Sequence, residues 1–230
     1  MSLRPLFPFY GSKWRAARLY PQPRSLVIEP FAGSAGFSLW HQPDNVLLID
    51  RDPIIVGIWD YLIRATEREL ARLPDLEVGQ NTEALAIPQE AKWLIGFWIN
   101  RGSATPKNRR TAWSTQTDKS QLVWGERARQ RLVQSAPQIR HWKVRLSSYW
   151  DAPVTDSASY FIDPPYVKNG RRYRLHDLDY SHIASWARAL PGSVTVCEEE
   201  GASWLPFRYL DHVHSTLGWS PEYAWLKPRS

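Results

Sequence analysis

Apolar residues along the chain form short continuous runs that alternate with segments of helical spacing. The runs at 25–30 and 46–49 predict buried strands, because each is short, apolar and followed by a strong polar signal. Residues 53–73 have apolar positions at helical spacing and a proline at the first turn, which predicts a helix. Strand and helix therefore alternate as they do in a parallel sheet that is covered on both faces.

The second half of the chain continues this pattern after an interruption. Further strands are predicted at 143–149, 158–163, 193–197, 207–214 and 222–227, and further helices at 88–100 and 179–190. Between 74 and about 140 much of the sequence is polar, basic and rich in turn residues, which is typical of an insertion. We therefore predict a catalytic domain from 1–73 and 143–230, interrupted by an insertion at 74–142.

Charge is concentrated in that insertion. Residues 101–145 carry eleven basic and two acidic side chains, whereas the whole chain has 29 basic and 23 acidic residues and a net charge of +6. A regional positive patch favours an anionic partner, although a run of charge can also be a solvated face. Neither a membrane-spanning run nor a signal peptide is recognisable, so we expect a cytoplasmic protein without a membrane partner. The single cysteine and the spacing of the six histidines predict no metal site.

Three predicted strand ends carry residues suited to a ligand. In an open parallel sheet, ligands bind beyond the carboxyl ends of the strands. The first end opens a glycine turn in which Gly33 lets the backbone approach a ligand, and the second ends at Asp50, whose carboxylate can accept both hydroxyls of a ribose. An ordinary turn and a helix-capping aspartate are the simpler readings. The turn "GSAG" is not a dinucleotide fingerprint, and nothing indicates a pyrophosphate.

The third strand end is the sequence "DPPY" at 163–166. Proline fixes φ and donates no hydrogen bond, so the carbonyl groups of Asp163 and Pro164 stay available as acceptors. A carboxylate and a fixed carbonyl can accept the two hydrogens of an exocyclic amine, and Tyr166 offers a flat face for the ring that carries it. The alternative is a rigid turn that only ends the strand.

These segments together resemble the Dam-like DNA adenine-N6 methyltransferases. The resemblance rests on "FYGSKW" at 9–14, "EPFAGSA" at 29–35, Asp50, the intact "DPPY", and the Asn-Arg pair within "FWINRGSA". It implies a Rossmann-like α/β sheet that uses S-adenosylmethionine, with helices on both faces and a small, mostly helical DNA-recognition insertion. Two departures stand out. Ala35 replaces the second glycine of the turn, with Gly36 displaced by one, and Ser148 and Tyr149 stand where the family often has an acid and an aromatic residue.

The resemblance also implies roles for individual residues. Those implied to contact S-adenosylmethionine are Tyr10, Lys13, Glu29, Phe31, Gly33, Asp50, Ser148, Tyr149 and Asp163. Those implied to hold a flipped-out adenine are Asp163, Pro164, Pro165 and Tyr166. The expected partner is double-stranded DNA. The residues expected to contact it are Asn100, Arg101, Lys107, Arg109, Arg110, Lys168, Arg171 and Arg172. The arginines after "DPPY" are interpreted as a loop that closes over the extruded strand, or else as a solvated loop.

Several alternatives stay open at this point. Methylation of the cytosine-N4 amine presents the same chemistry to "DPPY", and a catalytically silent DNA-binding protein could share the scaffold. Protein-amide methyltransferases resemble this pattern less, because they have Asn in place of Asp163. The oligomeric state is open, with a monomer allowed. The acids Glu198, Glu199 and Glu200 follow a predicted strand and are interpreted as a surface cluster.

Overall fold

The fold is known from a computed structural model that describes residues 2–99, 103–112, 123–215 and 218–228. Within these ranges the chain forms a seven-stranded sheet. The strands are β1 Leu26–Glu29, β2 Asn45–Asp50, β3 Lys143–Leu146, β4 Ala158–Ile162, β5 Ser193–Glu198, β6 Arg208–Ser215 and β7 Gly218–Leu226. The α-helices are α1 Gly36–His41, α2 Pro53–Arg64, α3 Glu67–Ala71, α4 Gln89–Ile99, α5 Glu126–Ser135 and α6 Tyr180–Ala189.

The order of the strands confirms the predicted fold class. The sheet runs β3-β2-β1-β4-β5-β7-β6, and β1 to β5 are parallel to one another, whereas β7 is antiparallel to both β5 and β6. The strand order reverses between β1 and β4, which is the switch point where ligands of Rossmann-like sheets bind. The carboxyl ends of β1, β2 and β4 therefore lie side by side.

Helices cover both faces of the sheet, as predicted. Successive side chains of a strand point to opposite faces, so Val27 and Phe161 belong to one buried cluster and Ile28 and Tyr160 to another. The first face is covered by α1 and α2, with α4 packed against α2 and α5 against α3, and the second face is covered by α6. None of the helices among the described residues has the length and apolar character needed to cross a bilayer.

Two helices differ from the sequence prediction. The helix expected at 53–73 is divided into α2 and α3, because the Thr66 side chain and the Glu69 side chain form a capping box that starts a new helix. Helix α5 is not predicted from the sequence, because most of its residues are polar or charged. It buries only Ala128, Leu132 and Ser135, which are spaced along one face.

The segment 74–142 packs closely against helices α2 and α3. Helices α4 and α5 bury Leu94 and Leu132 in the same core cluster as Trp59 of α2. Residues 79–82 and 107–110 run antiparallel and form a short ribbon, in which the amide of Gly79 donates to the carbonyl of Arg110 at 2.9 Å and the amide of Thr82 to Asn108 at 2.7 Å. The division at 74–142, and the role of this segment in recognition, stay predictions.

Candidate active site

A cavity lies at the carboxyl ends of β1, β2 and β4. It is bordered by the N-terminal segment, the turn after β1 and the loop that follows β4. Of the residues proposed from sequence, it brings together Tyr10, Lys13, Glu29, Phe31, Gly33, Asp50, Asp163 and Pro165. Residues from four separate parts of the chain thus meet in one cavity. Among the described residues, no group of His, Cys, Asp or Glu is arranged to hold a metal ion.

The turn between β1 and α1 is tightly constrained. Gly33 and Ala35 have φ values of 44° and 48°, in the left-handed region that favours glycine. Ala35, the departure from the family pattern, therefore adopts the conformation for which glycine is suited. The carbonyl of Gly33 accepts a hydrogen bond from Trp59 Nε1 at 2.8 Å, so the buried helix α2 fixes the turn.

Asp50 is tied to this turn at the end of β2. Its Oδ2 accepts a hydrogen bond from the amide of Gly33 at 3.1 Å, and its Oδ1 accepts one from the amide of Asp52 at 2.9 Å. Burial raises the pKa of Asp50 to about 6, although the two backbone amides oppose that shift. Asp50 is therefore ionised at pH 7, and it borders the cavity with a carboxylate whose orientation is fixed.

Glu29 shapes the same turn from within the sheet. It is only 2% exposed, and its Oε1 accepts a hydrogen bond from the amide of Ser38 at 2.9 Å, which ties the end of β1 to the first turn of α1. Burial raises the pKa of Glu29 to about 8, against the effect of its hydrogen bond to Ser38. Because the folded protein favours its protonated form, Glu29 is a titrating group near neutral pH.

At the other end of the cavity, Lys13 lies between two carboxylates. Its Nζ is 2.9 Å from Oε1 of Glu222 on β7 and 3.8 Å from Oδ1 of Asp163, and it lies 4.7 Å from the centre of the Tyr166 ring. Burial alone would lower the pKa of Lys13, but the charges of Asp163 and Glu222 outweigh it and raise that pKa above its usual range. Lys13 is therefore a permanent cation, and Glu222 is a member of the site that the sequence did not suggest.

The "DPPY" segment follows β4 directly. Burial raises the pKa of Asp163 to about 6, and the ammonium of Lys13 opposes that rise. The hydroxyl of Tyr180 donates to the carbonyl of Pro165 at 2.8 Å, which fixes the segment against α6. Among the described residues, no donor hydrogen-bonds to the carbonyl of Pro164. Asp163 is thus an ionised acceptor at pH 7, next to a carbonyl that no backbone amide occupies.

Tyr166 and Pro164 do not border the cavity within the described residues. One face of the Tyr166 ring lies against the Lys13 ammonium, and the ring packs against a buried cluster that includes Phe161 and Cys197. A stacking role for Tyr166 requires access to its ring, so that role stays a prediction.

Ser148 and Tyr149 also lie away from the cavity lining. Tyr149 is 2% exposed, its ring stacks on Phe31 with 5.3 Å between centroids, and its hydroxyl hydrogen-bonds to His182. The amide of Ser148 donates to Asp151 at 3.3 Å within a short 3-10 turn. Tyr149 thus supports Phe31, which borders the cavity, and direct contact of Ser148 or Tyr149 with a cofactor stays a prediction.

The three acids at the end of β5 anchor the loop that follows "DPPY". Glu198 accepts a hydrogen bond from the amide of Val167 at 3.0 Å, and Glu199 accepts one from the amide of Lys168 at 2.7 Å and another from the side chain of Asn169. Contrary to the interpretation as a surface cluster, Glu198 is 1% exposed. The sequence does carry a signal for this anchoring role. The three acids lie at the end of a predicted strand, where their carboxylates can accept hydrogen bonds from the backbone amides of a neighbouring loop.

The remaining part of that loop closes over the cavity mouth. The hydroxyl of Tyr173 donates to the carbonyl of Tyr10 at 3.1 Å, and the guanidinium of Arg172 lies 4.8 Å from the centre of the Tyr10 ring. Arg174 pairs with Asp52 at 3.0 Å. Two of the arginines interpreted as a closing loop thus contact other parts of this chain.

The residues proposed to contact DNA are placed differently from one another. Lys107 and Arg109 are exposed on the ribbon, Arg171 is exposed in the loop after β4, and the guanidinium of Arg110 donates to the carbonyl of Leu76. The ammonium of Lys168 donates to the carbonyl of Glu200 at 2.8 Å. Asn100 and Arg101 lie outside the described residues.

Comparison with known proteins leaves the family open. No family model and no curated protein matches the chain. A solved structure described as "Putative methyltransferase yhhF from Escherichia coli" matches 94% of this chain and 82% of its own with 10% sequence identity and a TM-score of 0.38. A likeness this distant assigns neither a family nor a function to the chain.

Proposed function

We propose that the protein is a DNA adenine-N6 methyltransferase that uses S-adenosylmethionine. One observation carries the proposal: Gly33, Asp50, Lys13 and Asp163 border a single cavity at the switch point of a Rossmann-like sheet. The first two suit a nucleoside, and Asp163 suits an amine. Their order along the chain agrees with the resemblance to the Dam-like enzymes.

The cavity presents the polar groups that S-adenosylmethionine requires. Asp50 would accept hydrogen bonds from the ribose hydroxyls, Phe31 would face the adenine, and the backbone at Gly33 would approach the ligand closely. When bound, S-adenosylmethionine supplies a methyl group activated by attachment to a sulfonium. The half-buried Asp50 carboxylate, held by two backbone amides, and the Phe31 ring on the cavity wall support these assignments.

The protein's own contribution to transfer is to orient the amine and stabilise charge. The Asp163 carboxylate would accept one amine hydrogen and the Pro164 carbonyl the other, so that the nitrogen lone pair is directed away from the ring. As the nitrogen becomes positively charged, the Asp163 carboxylate stabilises it by electrostatics and the proton can leave afterwards. With a pKa of about 6, Asp163 is in the ionised form that this role requires at pH 7.

DNA is the proposed partner because of the basic segment beside the cavity. The ribbon that carries Lys107 and Arg109 is connected to the cavity wall, since the amide of Tyr10 donates to the carbonyl of Ser103 at 3.2 Å. Contacts from these side chains to phosphates would give an affinity that falls with salt. The target base must leave the duplex to reach Asp163, at a cost of a few kcal/mol.

The test is methyl transfer from labelled S-adenosylmethionine to mixed-sequence DNA, followed by digestion to nucleosides. We expect N6-methyladenine, loss of about a hundredfold or more of the rate in Asp163→Asn, and unchanged DNA binding by that variant. Asp44→Asn removes an exposed carboxylate at the amino end of β2, the end of the sheet opposite the cavity, and is the control. Methylcytosine would identify the cytosine-N4 activity instead, and DNA binding without any transfer at low salt would favour the silent scaffold.

A further inference from the structure

We propose that Glu222 is a positioning residue: it holds Lys13 away from Asp163, so that the Asp163 carboxylate stays available to the substrate amine. This inference rests on the proposed function for its consequence in catalysis. The arrangement itself is a property of the unliganded protein and can be measured without any reaction.

The distances within the cluster separate the two carboxylates. The 2.9 Å between Lys13 Nζ and Glu222 Oε1 is a hydrogen bond, whereas the 3.8 Å to Asp163 Oδ1 is too long for one. Lys13 therefore directs a donor at Glu222 and acts on Asp163 only through its charge. The side chains of Lys13 and Glu222 are 10% and 9% exposed, so water does not replace this contact.

Glu222 is itself held firmly in place. It lies on β7, which pairs with β5 in antiparallel register, and the same Oε1 accepts a hydrogen bond from the hydroxyl of Tyr20. The thiol of Cys197 in turn donates to that hydroxyl at 3.3 Å. A buried carboxylate is costly unless it is paired, and Lys13 is the cation that pairs with Glu222. The cluster thus consists of one cation shared by two carboxylates.

Without the charge of Glu222, Lys13 has only Asp163 as a carboxylate partner. A direct ion pair between them would occupy the oxygen that the amine needs. It would also lower the pKa of Asp163, because the charge of Glu222 raises that pKa and the charge of Lys13 lowers it. The titratable groups whose charges or hydrogen bonds couple to Asp163 are Lys13, Tyr20, Glu29, Tyr166, Tyr173, Cys197, Glu198 and Glu222.

The experiment is a titration of Asp163 by carbon NMR in unliganded protein labelled at aspartate carboxyl groups. The Asp163→Asn spectrum identifies the resonance. In Glu222→Gln, which keeps the acceptor for Tyr20 and removes the charge, we expect the midpoint to fall by about one pH unit. The acidic limb of the pH profile for methyl transfer should move in the same direction, and kcat should fall about ten- to a hundredfold. Asp44→Asn, at the opposite end of the sheet, should change neither measurement.

An Asp163 midpoint that is the same in Glu222→Gln and wild type overturns the positioning role, whatever the rate of transfer. If Glu222→Gln does not fold, Glu222→Asp keeps the charge but draws it away from Lys13, and a smaller fall of the midpoint is expected; no fall overturns the inference. Failure of the wild-type protein to transfer a methyl group overturns the proposed function alone, because the NMR midpoint still decides the role of Glu222.

Discussion

Arg174 donates a hydrogen bond from Nε to Oδ2 of Asp52 at 3.0 Å, and this contact joins the loop after β4 to the start of α2. Both residues border the cavity. The other oxygen of Asp52 accepts a hydrogen bond from the amide of Ile54 at 3.0 Å, as is usual for a helix N-cap. This second hydrogen bond fixes the Asp52 carboxylate to which Arg174 donates. A side chain of the closing loop thus rests on a rigid part of the cavity wall.

We expect Arg174→Ala to weaken binding of S-adenosylmethionine by about fivefold or less, because an ion pair with one exposed partner, here Arg174, contributes about 1 kcal/mol. Isothermal titration calorimetry without DNA measures this change. Arg188→Ala removes an exposed arginine from α6 and is the control. The same affinity in Arg174→Ala and Arg188→Ala would show that the contact does not retain the ligand.

The raised pKa of Glu29 predicts a specific pH dependence of stability. The folded protein holds the Glu29 proton up to a pKa of about 8, compared with 4.5 in the unfolded chain. The resulting stabilisation is complete below 4.5 and is lost as the pH rises through about 8. Asp50 and Asp163 act with the same sign, but their pKa values of about 6 place most of their loss at lower pH.

Between about pH 7 and 8.5, the melting temperature of the wild type should therefore fall more steeply than that of Glu29→Gln, in which the titrating proton is absent. Differential scanning fluorimetry at constant ionic strength measures both slopes. Glu77→Gln, a change at an exposed glutamate, should keep the wild-type slope. Parallel slopes for the wild type and Glu29→Gln would mean that Glu29 is ionised in the folded protein.

Local signals account for what could be predicted from the sequence. Strands β1, β2 and β4 are continuous apolar runs, and the polar groups at their ends, such as Asp50 and Asp163, sit at the edge where parallel strands place ligands. Glu222 could not be predicted in this way. It contacts Lys13 only because β7 lies between β5 and β6 in the sheet, a strand order that the local sequence does not reveal. The break between α2 and α3 could have been predicted, because Thr66 and Glu69 have the three-residue spacing of a capping box at the start of a helix.

The hydrogen bonds of Glu199 are expected to keep the loop after "DPPY" ordered. It accepts hydrogen bonds from the amide of Lys168 and the side chain of Asn169, so we expect Glu199→Ala to increase hydrogen exchange at Lys168 by about fivefold or more. Mass spectrometry of peptides covering 166–170 measures the exchange. Glu200→Ala is the matched control, since Glu200 meets the loop through its main-chain carbonyl. Equal exchange in Glu199→Ala and the wild type would contradict the anchoring role.

The close packing of Gly36 against the N-terminal segment is expected to fix the position of Lys13. A Cβ at Gly36 would lie 2.5 Å from the amide nitrogen of Trp14 and 3.0 Å from backbone atoms of Lys13, and backbone cannot yield as a flexible side chain does. Gly36→Ala should therefore lower the free energy of unfolding by roughly 1–3 kcal/mol, despite the better helix propensity of alanine. It should also reduce methyl transfer, because the displaced segment carries Lys13. Urea denaturation and the transfer assay measure the two effects.

Gly125→Ala is the control, because a Cβ at Gly125 would meet open space, and it should change both stability and transfer only slightly. A Gly36→Ala protein that is as stable as Gly125→Ala would show that the N-terminal segment adjusts to the extra Cβ without a loss of stability.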